Sequence, residues 1–263
     1  MNELRTIAIC SGKGGVGKTT VAVNLSILLA QMGKKVVLVD ADVAMANIGI
    51  VLGIERAPIS LHNVLSGENV IADAVYEGPA KLKYVPSGLS LDGIKKLDFS
   101  KFPGAMAALE KGADYLILDC PPGLDETNQQ AIKSAKELVL VVTPDPAALA
   151  DALKMGQFAN RFGIKITGVV VNKYRSSKDE VKPVEVEKLL GAPVLAVIPE
   201  DPEVRRSTER QSPLMIGNQG TPAGIGFKTL ACAITGEKVD TGPVQKKGFF
   251  DGLLAALFGR KNQ

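Results

Sequence analysis

Short apolar runs rich in β-branched residues alternate along this chain with longer amphipathic segments. Six of these runs predict β-strands and a weaker one predicts a seventh: TIAIC (6–10), VVLVD (36–40), YLILD (115–119), LVLVVT (138–143), ITGVVVN (166–172), VLAVIP (194–199) and, more weakly, LKYVP (82–86). The intervening segments predict helices at about 18–32, 102–111, 126–136, 147–162 and 183–190. Because strands that are apolar throughout are covered on both faces, the chain is predicted to form an α/β domain, a mostly parallel twisted β-sheet with helices on both faces. Ligands of such domains bind at the carboxyl ends of the strands.

The net charge of +3 is concentrated at the C-terminal end of the 263-residue chain. The last 18 residues contain four Lys or Arg side chains against one Asp, so residues 1–245 are formally neutral. A surface that binds nucleic acid without sequence preference needs a surplus of Lys and Arg. The composition therefore argues against that class, although a local basic face around Arg205, Arg206 and Arg210 stays open.

Cysteine usage and the first residues of the chain favour a cytoplasmic location. Cys10, Cys120 and Cys232 are widely spaced and form no CxxC pair, so we expect small buried hydrophobes rather than a disulfide or a zinc site. The segment MNELRTIAIC lacks the apolar core of a signal peptide, and no apolar run approaches the roughly 20 residues that span a bilayer. His62, the single histidine, has no neighbouring metal ligands and is not expected to be catalytic.

The segment from Gly12 to Thr19 matches G-x-x-x-x-G-K-[ST], directly between a predicted strand and a predicted helix. This context predicts a phosphate-binding loop, because glycines let backbone N–H groups turn toward phosphate oxygens and the helix N-terminus is electropositive. We expect Lys18 to neutralise the β- and γ-phosphates and Thr19 to ligate Mg²⁺. The whole predicted cradle comprises Gly12, Lys13, Gly14, Gly15, Val16, Gly17, Lys18, Thr19 and Thr20.

Carboxylates follow two other predicted strands. Asp119 ends YLILD, where a Walker B carboxylate near the metal is expected, and Asp40 and Asp42 follow VVLV. Strand alternation sends the side chains of Asp40 and Asp42 to the same side, with Asp42 nearer the loop tip. One of the two could orient a water in line with the γ-phosphate.

The loop KGGVGKTT, together with the segments DAD at 40–42 and DCPPG at 119–123, resembles the deviant Walker A ATPases of the MinD/ParA family. The resemblance runs through essentially the whole chain and implies a P-loop NTPase fold, ATP and Mg²⁺ as cofactors, and an ATP-state homodimer. In this family two subunits sandwich two ATP molecules, and the front lysine, here Lys13, reaches the partner's nucleotide. From spacing alone, Lys13 could equally be a solvated surface lysine.

The resemblance also implies further site residues. Lys13, Lys18, Asp42 and Asn47 would act in catalysis, and Thr19, Asp42 and Asp119 would lie at the metal. Adenine would be held by Asn172 and by a second segment that comprises Pro199, Glu200 and Asp201. Ala46 stands where some relatives carry Arg, so partner contacts there are expected to differ.

The tail forms the third part of a predicted organisation into an ATPase domain (1–235), a linker (236–245) and an amphipathic segment (246–263). In GFFDGLLAALFG the apolar residues fall on one half of a helix, with Asp251, Gly252 and Ala255 opposite and basic residues at both ends. The apolar set comprises Phe249, Phe250, Leu253, Leu254, Leu257 and Phe258. The pattern favours an anchor on an anionic membrane surface, and it resembles the membrane-targeting tail of the MinD branch. The alternative is a terminal helix that packs on its own domain or on the dimer partner.

The sequence therefore predicts an ATPase that dimerises with ATP and cycles between the cytoplasm and the membrane as a peripheral protein, positioning cell-division or other machinery. A protein activator or cargo is a further expected partner, and nucleic acid is not. The alternative is a ParA-like ATPase for DNA partition or cargo positioning, against which the hydrophobic tail counts. An iron–sulfur scaffold of the nitrogenase iron-protein type also shares the loop, but Cys120 is poorly placed for it.

Overall fold

The computed structural model describes residues 4–54, 57–88 and 97–237, without the side chains of residues 126 and 127. The predicted tail, and residues 238–245 of the predicted linker, lie outside the described residues. The organisation into domain, linker and tail therefore stays a prediction.

The described strands form one sheet in the order β3-β4-β2-β5-β1-β6-β7-β8. Their bounds are β1 Arg5–Cys10, β2 Val36–Asp40, β3 Tyr76–Glu77, β4 Lys83–Val85, β5 Tyr115–Asp119, β6 Glu137–Val142, β7 Lys165–Tyr174 and β8 Val194–Pro199. Every pairing is parallel except that of the two-residue edge strand β3 with β4. The predicted mostly parallel α/β fold is confirmed.

Helices cover both faces of the sheet. Their bounds are α1 Lys18–Gln31, α2 Ile48–Leu52, α3 Leu61–Ser66, α4 Phe102–Leu109, α5 Glu126–Lys133, α6 Pro146–Arg161, α7 Pro183–Leu190, α8 Pro202–Glu209, α9 Leu214–Gly217 and α10 Pro222–Thr235. Short 3₁₀ turns lie at Ile71–Ala74, Pro79–Lys81 and Phe99–Lys101. Among the described ranges, no helix is both long and apolar enough to cross a bilayer.

Strand alternation divides the buried residues into two hydrophobic cores. Ile7 and Ile9 of β1 pack with α1, α2, α9 and α10, whereas Ala8 and Cys10 pack with α3 to α7. Because both faces are apolar, the strands read as continuous hydrophobic runs in the sequence. The arrangement leaves the carboxyl ends of β1, β2, β5 and β7 along one edge, where the polar side chains of the candidate site lie.

Candidate functional site

The loop between β1 and α1 has the backbone of an anion-binding cradle. Gly15 and Gly17 have positive φ angles of 78° and 95°, which side chains with a Cβ rarely adopt. Gly17 is the N-cap of α1, and no side chain caps the helix. The first N–H groups of α1 therefore remain available to an anion at the positive end of the helix dipole.

Two of the loop glycines are also required by close contacts. A Cβ on Gly12 would lie 2.3 Å from the backbone carbon of Asp151 in α6, and one on Gly17 would lie 2.3 Å from Nδ2 of Asn172. The loop thus approaches α6 closely at Gly12 and the end of β7 closely at Gly17. At Gly14, in contrast, a Cβ would meet no atom within 4 Å.

Lys18 and the carboxylates that follow β2 and β5 lie together at the base of the loop. Lys18 is only 8% exposed. Burial raises the pKa values of both Asp42 and Asp119, and the charge of Lys18 opposes that rise at each of them. At Asp42 the hydrogen bond from the Met45 amide opposes it as well. The structure therefore brings together Lys18, Asp42 and Asp119 as the sequence predicts.

The side chain of Asp119 fits a site that needs a cation. It is 1% exposed, and neither carboxylate oxygen has a hydrogen-bond partner among the described residues. Burial raises its pKa to about 7, an effect that the nearby Thr19 hydroxyl and Lys18 reduce. A buried carboxylate without partners is costly unless a cation or ordered water satisfies it. The predicted metal residues Thr19 and Asp119 are thus adjacent.

Within the described part of the chain, no three or more His, Cys, Asp or Glu residues are grouped so that they could hold a metal ion. Thr19 and Asp119 offer oxygen donors, which suit Mg²⁺, an ion that keeps several waters and takes its remaining ligands from substrate phosphates. The residues present therefore fit Mg²⁺ bound together with a nucleotide.

Asp40 shapes the loop that carries Asp42 and Asn47. Its Oδ2 accepts hydrogen bonds from the N–H groups of Asn47 (3.0 Å) and Ile48 (3.1 Å), and its Oδ1 accepts one from the Asp42 N–H (3.3 Å). Burial and the neighbouring Asp119 raise the pKa of Asp40 well above its usual range. Both oxygens of Asp40 are therefore engaged with the backbone, and the role of Asp42 in orienting water stays a prediction.

The side chains of Asp42 and Asn47 are held within the same loop. Asp42 Oδ1 accepts from the Met45 N–H at 3.0 Å, and Asn47 Nδ2 donates to the Met45 carbonyl at 2.7 Å. Met45 itself is 68% exposed. Both predicted residues are thus fixed by one short turn beside an exposed apolar side chain.

Lys13 is exposed at the front of the loop. Its carbonyl accepts a hydrogen bond from Ser11 Oγ at 2.7 Å, which fixes its backbone. Lys13 lies close enough to Asp145, the N-cap of α6, for its charge to affect the pKa of that carboxyl. Partial burial alone would raise the pKa of Asp145, but hydrogen bonds from Thr143 and the Ala148 amide, together with the charge of Lys13, lower it. The ammonium therefore lies near the start of α6 and remains accessible to solvent.

The predicted adenine-holding segments lie at the ends of β7 and β8. Asn172 Nδ2 donates to the Val16 carbonyl of the phosphate-binding loop at 2.7 Å. Asp201 caps α8: one oxygen accepts from the Glu203 N–H at 2.9 Å and the other from the Ala223 N–H at 3.2 Å. Because both oxygens are engaged, Asp201 shapes its segment through the backbone. Pro199 ends β8, and Glu200 pairs with Arg175 at 3.6 Å.

Two polar residues of the site were missed by sequence reasoning, Asp40 as a loop clamp and Lys173 as a contact of the phosphate-binding loop. Lys173 Nζ donates to the Gly15 carbonyl at 2.8 Å. Its position directly after Asn172 is the one local signal that could have drawn attention to it.

The candidate basic face, formed by α8 and the residue that follows it, is largely paired with two glutamates of that helix. Its three arginines pair with glutamates: Arg205 with Glu209 at 2.8 Å, Arg206 with Glu203 at 2.5 Å, and Arg210 with Glu203 at 3.1 Å. These pairs leave little unbalanced positive charge for a nucleic acid phosphate backbone.

The cysteines and the histidine differ in their burial. Cys10 and Cys120 are buried as expected, whereas Cys232 is intermediate. His62 is buried, and its Nε2 lies 2.8 Å from the Val43 carbonyl.

The sequence and the fold match known proteins over most of the chain. Residues 7–214 match the family described as the CobQ/CobB/MinD/ParA nucleotide binding domain. The chain belongs to the MinD/ParA family of ATPases. It is 38% identical, over 97% of both chains, to an uncharacterised ATP-binding protein of Methanocaldococcus jannaschii.

Solved MinD structures share the fold of this MinD/ParA protein. The septum site-determining protein MinD of Pyrococcus horikoshii, complexed with Mg-ADP, superposes with a TM-score of 0.86 at 35% identity, covering 89% of this chain and 96% of that one. MinD in the MinC:MinD cell division complex of Aquifex aeolicus gives 0.81 at 26% identity, covering 93% and 100%. The predicted cofactors, ATP and Mg²⁺, agree with these relatives.

Proposed function

We propose that this MinD/ParA-family ATPase binds Mg²⁺ and ATP at the carboxyl edge of its sheet, dimerises in the ATP state, and cycles between cytoplasm and membrane surface. The observation that carries the proposal is the arrangement of Lys18, Thr19 and the unpartnered, buried Asp119 around an uncapped helix N-terminus. Relatives named as MinD support cell-division site placement as the cellular role, with a MinC-like protein as one kind of partner.

In this proposal the chain's own residues bind and orient the phosphates. Lys18 and the first N–H groups of α1 neutralise phosphate charge. Thr19 and Asp119 would hold the metal, which would supply further neutralisation of phosphate charge. The Met45 amide donates a hydrogen bond to Asp42 and so holds its side chain. Asp42 then orients the attacking water. Asn47 helps to hold that turn.

Lys13 is the residue through which dimerisation would control turnover. Phosphoryl transfer depends on charge stabilisation, and a cation supplied by a partner is worth roughly 10³–10⁵ in rate. Lys13 is exposed, so its ammonium is available to a second subunit. A monomer would then bind nucleotide and hydrolyse it slowly.

The predicted tail would make membrane binding depend on the dimer. One short amphipathic segment binds a membrane weakly and reversibly, whereas two on one dimer raise avidity on the order of 10²–10⁴. ATP binding would therefore load the protein onto anionic membranes, and hydrolysis would release it.

Sedimentation with liposomes of anionic and of neutral lipid, with ATP or ADP, tests this proposal. The full chain should sediment with anionic liposomes only when ATP is present, and a chain ending at Val244 should lose sedimentation but keep nucleotide binding. Leu257→Glu and Ala255→Glu add the same charge on opposite sides of the predicted helix. Sedimentation should be lost in the first and largely kept in the second.

Undiminished sedimentation of the shortened chain would refute membrane targeting by the tail. Equal loss in Leu257→Glu and Ala255→Glu would refute the amphipathic arrangement.

A further inference from the structure

The end of β7 contains an irregularity that changes where Lys173 lies. Asn172 of β7 pairs with Ile198 of β8, and the next pair is Tyr174 with Pro199. Lys173 is therefore an extra residue on β7 without a partner position on β8. Its φ of 57° is in the left-handed region, which a residue with a Cβ rarely adopts. Such bulges often lie beside active sites and redirect a side chain.

The bulge allows two consecutive side chains to reach the same loop. In a regular strand Asn172 and Lys173 would point to opposite faces of the sheet. Instead, Asn172 Nδ2 donates to the Val16 carbonyl at 2.7 Å and Lys173 Nζ donates to the Gly15 carbonyl at 2.8 Å. Two successive carbonyls of the phosphate-binding loop are therefore held toward β7.

Peptide geometry gives these two contacts a consequence on the other side of the loop. In a planar trans peptide, the carbonyl of one residue and the N–H of the next point in opposite directions. Fixing the Gly15 and Val16 carbonyls toward β7 therefore directs the N–H groups of Val16 and Gly17 away from it. No described residue accepts a hydrogen bond from either N–H group, so both are available to an anion.

We propose that Lys173 is a positioning residue of the phosphate-binding loop, acting with Asn172 to orient the N–H groups of Val16 and Gly17 toward the nucleotide phosphates. The inference rests on the proposed function, because it takes the ligand of the loop to be a nucleotide. It adds a link from the end of β7, where the base is expected, to the loop that binds the phosphates. Lys173 touches the loop backbone, so it acts through the loop.

Four substitutions separate positioning from a general effect on the fold. Lys173→Gly removes the ammonium but suits a φ of 57°, whereas Lys173→Met removes the ammonium and keeps the strained backbone. Lys173→Arg keeps a cationic donor. Lys178→Met is the matched control, because Lys178 is exposed in the following loop and makes no hydrogen bond or ion pair with any described residue.

The measurements are ADP and adenosine affinity, thermal unfolding without nucleotide, and the ¹⁵N–¹H shifts of Val16 and Gly17. Lys173→Gly and Lys173→Met should each weaken ADP binding by about tenfold, as expected for a lost charge-assisted hydrogen bond. Adenosine binding should be unchanged because adenosine has no phosphate. Lys173→Gly should be at least as stable as the wild type, with both amide shifts altered, and Lys173→Arg and Lys178→Met should resemble the wild type.

Wild-type affinity for ADP in Lys173→Gly would overturn the inference. A parallel loss of ADP and adenosine affinity would also overturn it, since that would indicate an effect on the base or the whole fold. If the wild-type chain itself failed to bind ADP and ATP, the proposed function would fall instead. The two failures are therefore distinguishable.

Discussion

Asp40 should be a structural clamp whose removal destabilises the domain, and its contacts give the magnitude. The side chain has no solvent exposure, and its oxygens accept from the N–H groups of Asn47, Ile48 and Asp42. Asp40→Ala leaves these groups without that acceptor, and a buried unsatisfied N–H costs about 1–3 kcal/mol. Removing a carboxylate whose pKa is raised by burial and by Asp119 offsets part of this loss. We expect a net loss of about 2–4 kcal/mol in the free energy of unfolding.

Asp40→Asn is the matched control. Its remaining carbonyl oxygen can still accept from Asn47 and Ile48, and the buried charge beside Asp119 is gone. The new NH₂ group, however, faces the Asp42 N–H. The two effects oppose each other, so its stability should lie within about 1 kcal/mol of the wild type.

Equilibrium urea unfolding near pH 7.5 without nucleotide, followed by circular dichroism, measures both variants. Asp40→Ala as stable as the wild type would refute the clamp. Asp40→Asn less stable than Asp40→Ala would also refute it, because the asparagine retains the two shorter contacts.

Two further perturbations follow from the contacts of the fold. Gly17→Ala should lower both the thermal unfolding temperature and nucleotide affinity, because φ is 95° and the new Cβ would lie 2.3 Å from a side-chain amide of β7. Gly14→Ala, which meets no atom within 4 Å, should unfold like the wild type; equal destabilisation of both would contradict this account of the loop. Arg5→Ala should cost roughly 2–3 kcal/mol in the free energy of unfolding at pH 7, because Arg5 pairs at 2.6 Å with Glu137, which is 12% exposed. Burial alone would raise the pKa of Glu137, but the hydrogen bonds from Arg5 and Thr167 lower it. The pair therefore stabilises the fold above the ordinary glutamate pKa, and the difference from the wild type should shrink as pH falls through the lowered value. A difference that stays constant down to pH 3 would assign the effect to packing.

Much of the fold could be predicted because local pattern and tertiary environment agree. The strands at 36–40, 115–119 and 194–199 have the predicted bounds, and the other predicted strands differ by one or two residues at their ends. Their apolar runs are buried on both faces of the sheet, so the pattern of hydrophobic residues along the sequence is enough to locate these strands. The predicted helices are all present, with ends that differ by at most three residues.

Helices α2, α3, α8, α9 and α10 have no counterpart among the predicted helices. For α8 and α10 the reasons can be identified, and they differ. The family resemblance assigns Asp201 to an adenine-holding segment, but Asp201 with Pro202 also provides an N-cap and a first-turn proline. Helix α10 contains Gly224 and Gly226, which lower helix propensity. Gly226 is explained by packing, since its Cβ would lie 2.9 Å from the Val197 carbonyl of β8.

The residues of the candidate site also differ in how far the sequence predicts them. The placement of Lys18, Thr19 and Asp119 close together could be predicted because it follows from a contiguous motif and a strand end, whereas their roles stay predictions. The roles of Asp40 and Lys173 depend on contacts with backbone groups that only the folded loop presents. Sequence spacing does not encode such contacts.

A subunit-mixing measurement tests most directly the central claim that Lys13 completes the partner's site. Lys13→Ala and Asp42→Ala should each be inactive alone, the second forming a trapped ATP-bound dimer. In a mixed dimer, the Lys13→Ala subunit keeps its own Asp42 and receives Lys13 from its partner.

Equal amounts of the two variants, mixed before ATP is added, should therefore hydrolyse ATP at an initial rate of about a quarter of the wild-type rate, because random pairing makes about half of the dimers mixed and each of these has one complete site. A mixture that remains inactive, or a Lys13→Ala protein that turns over normally alone, would contradict the account.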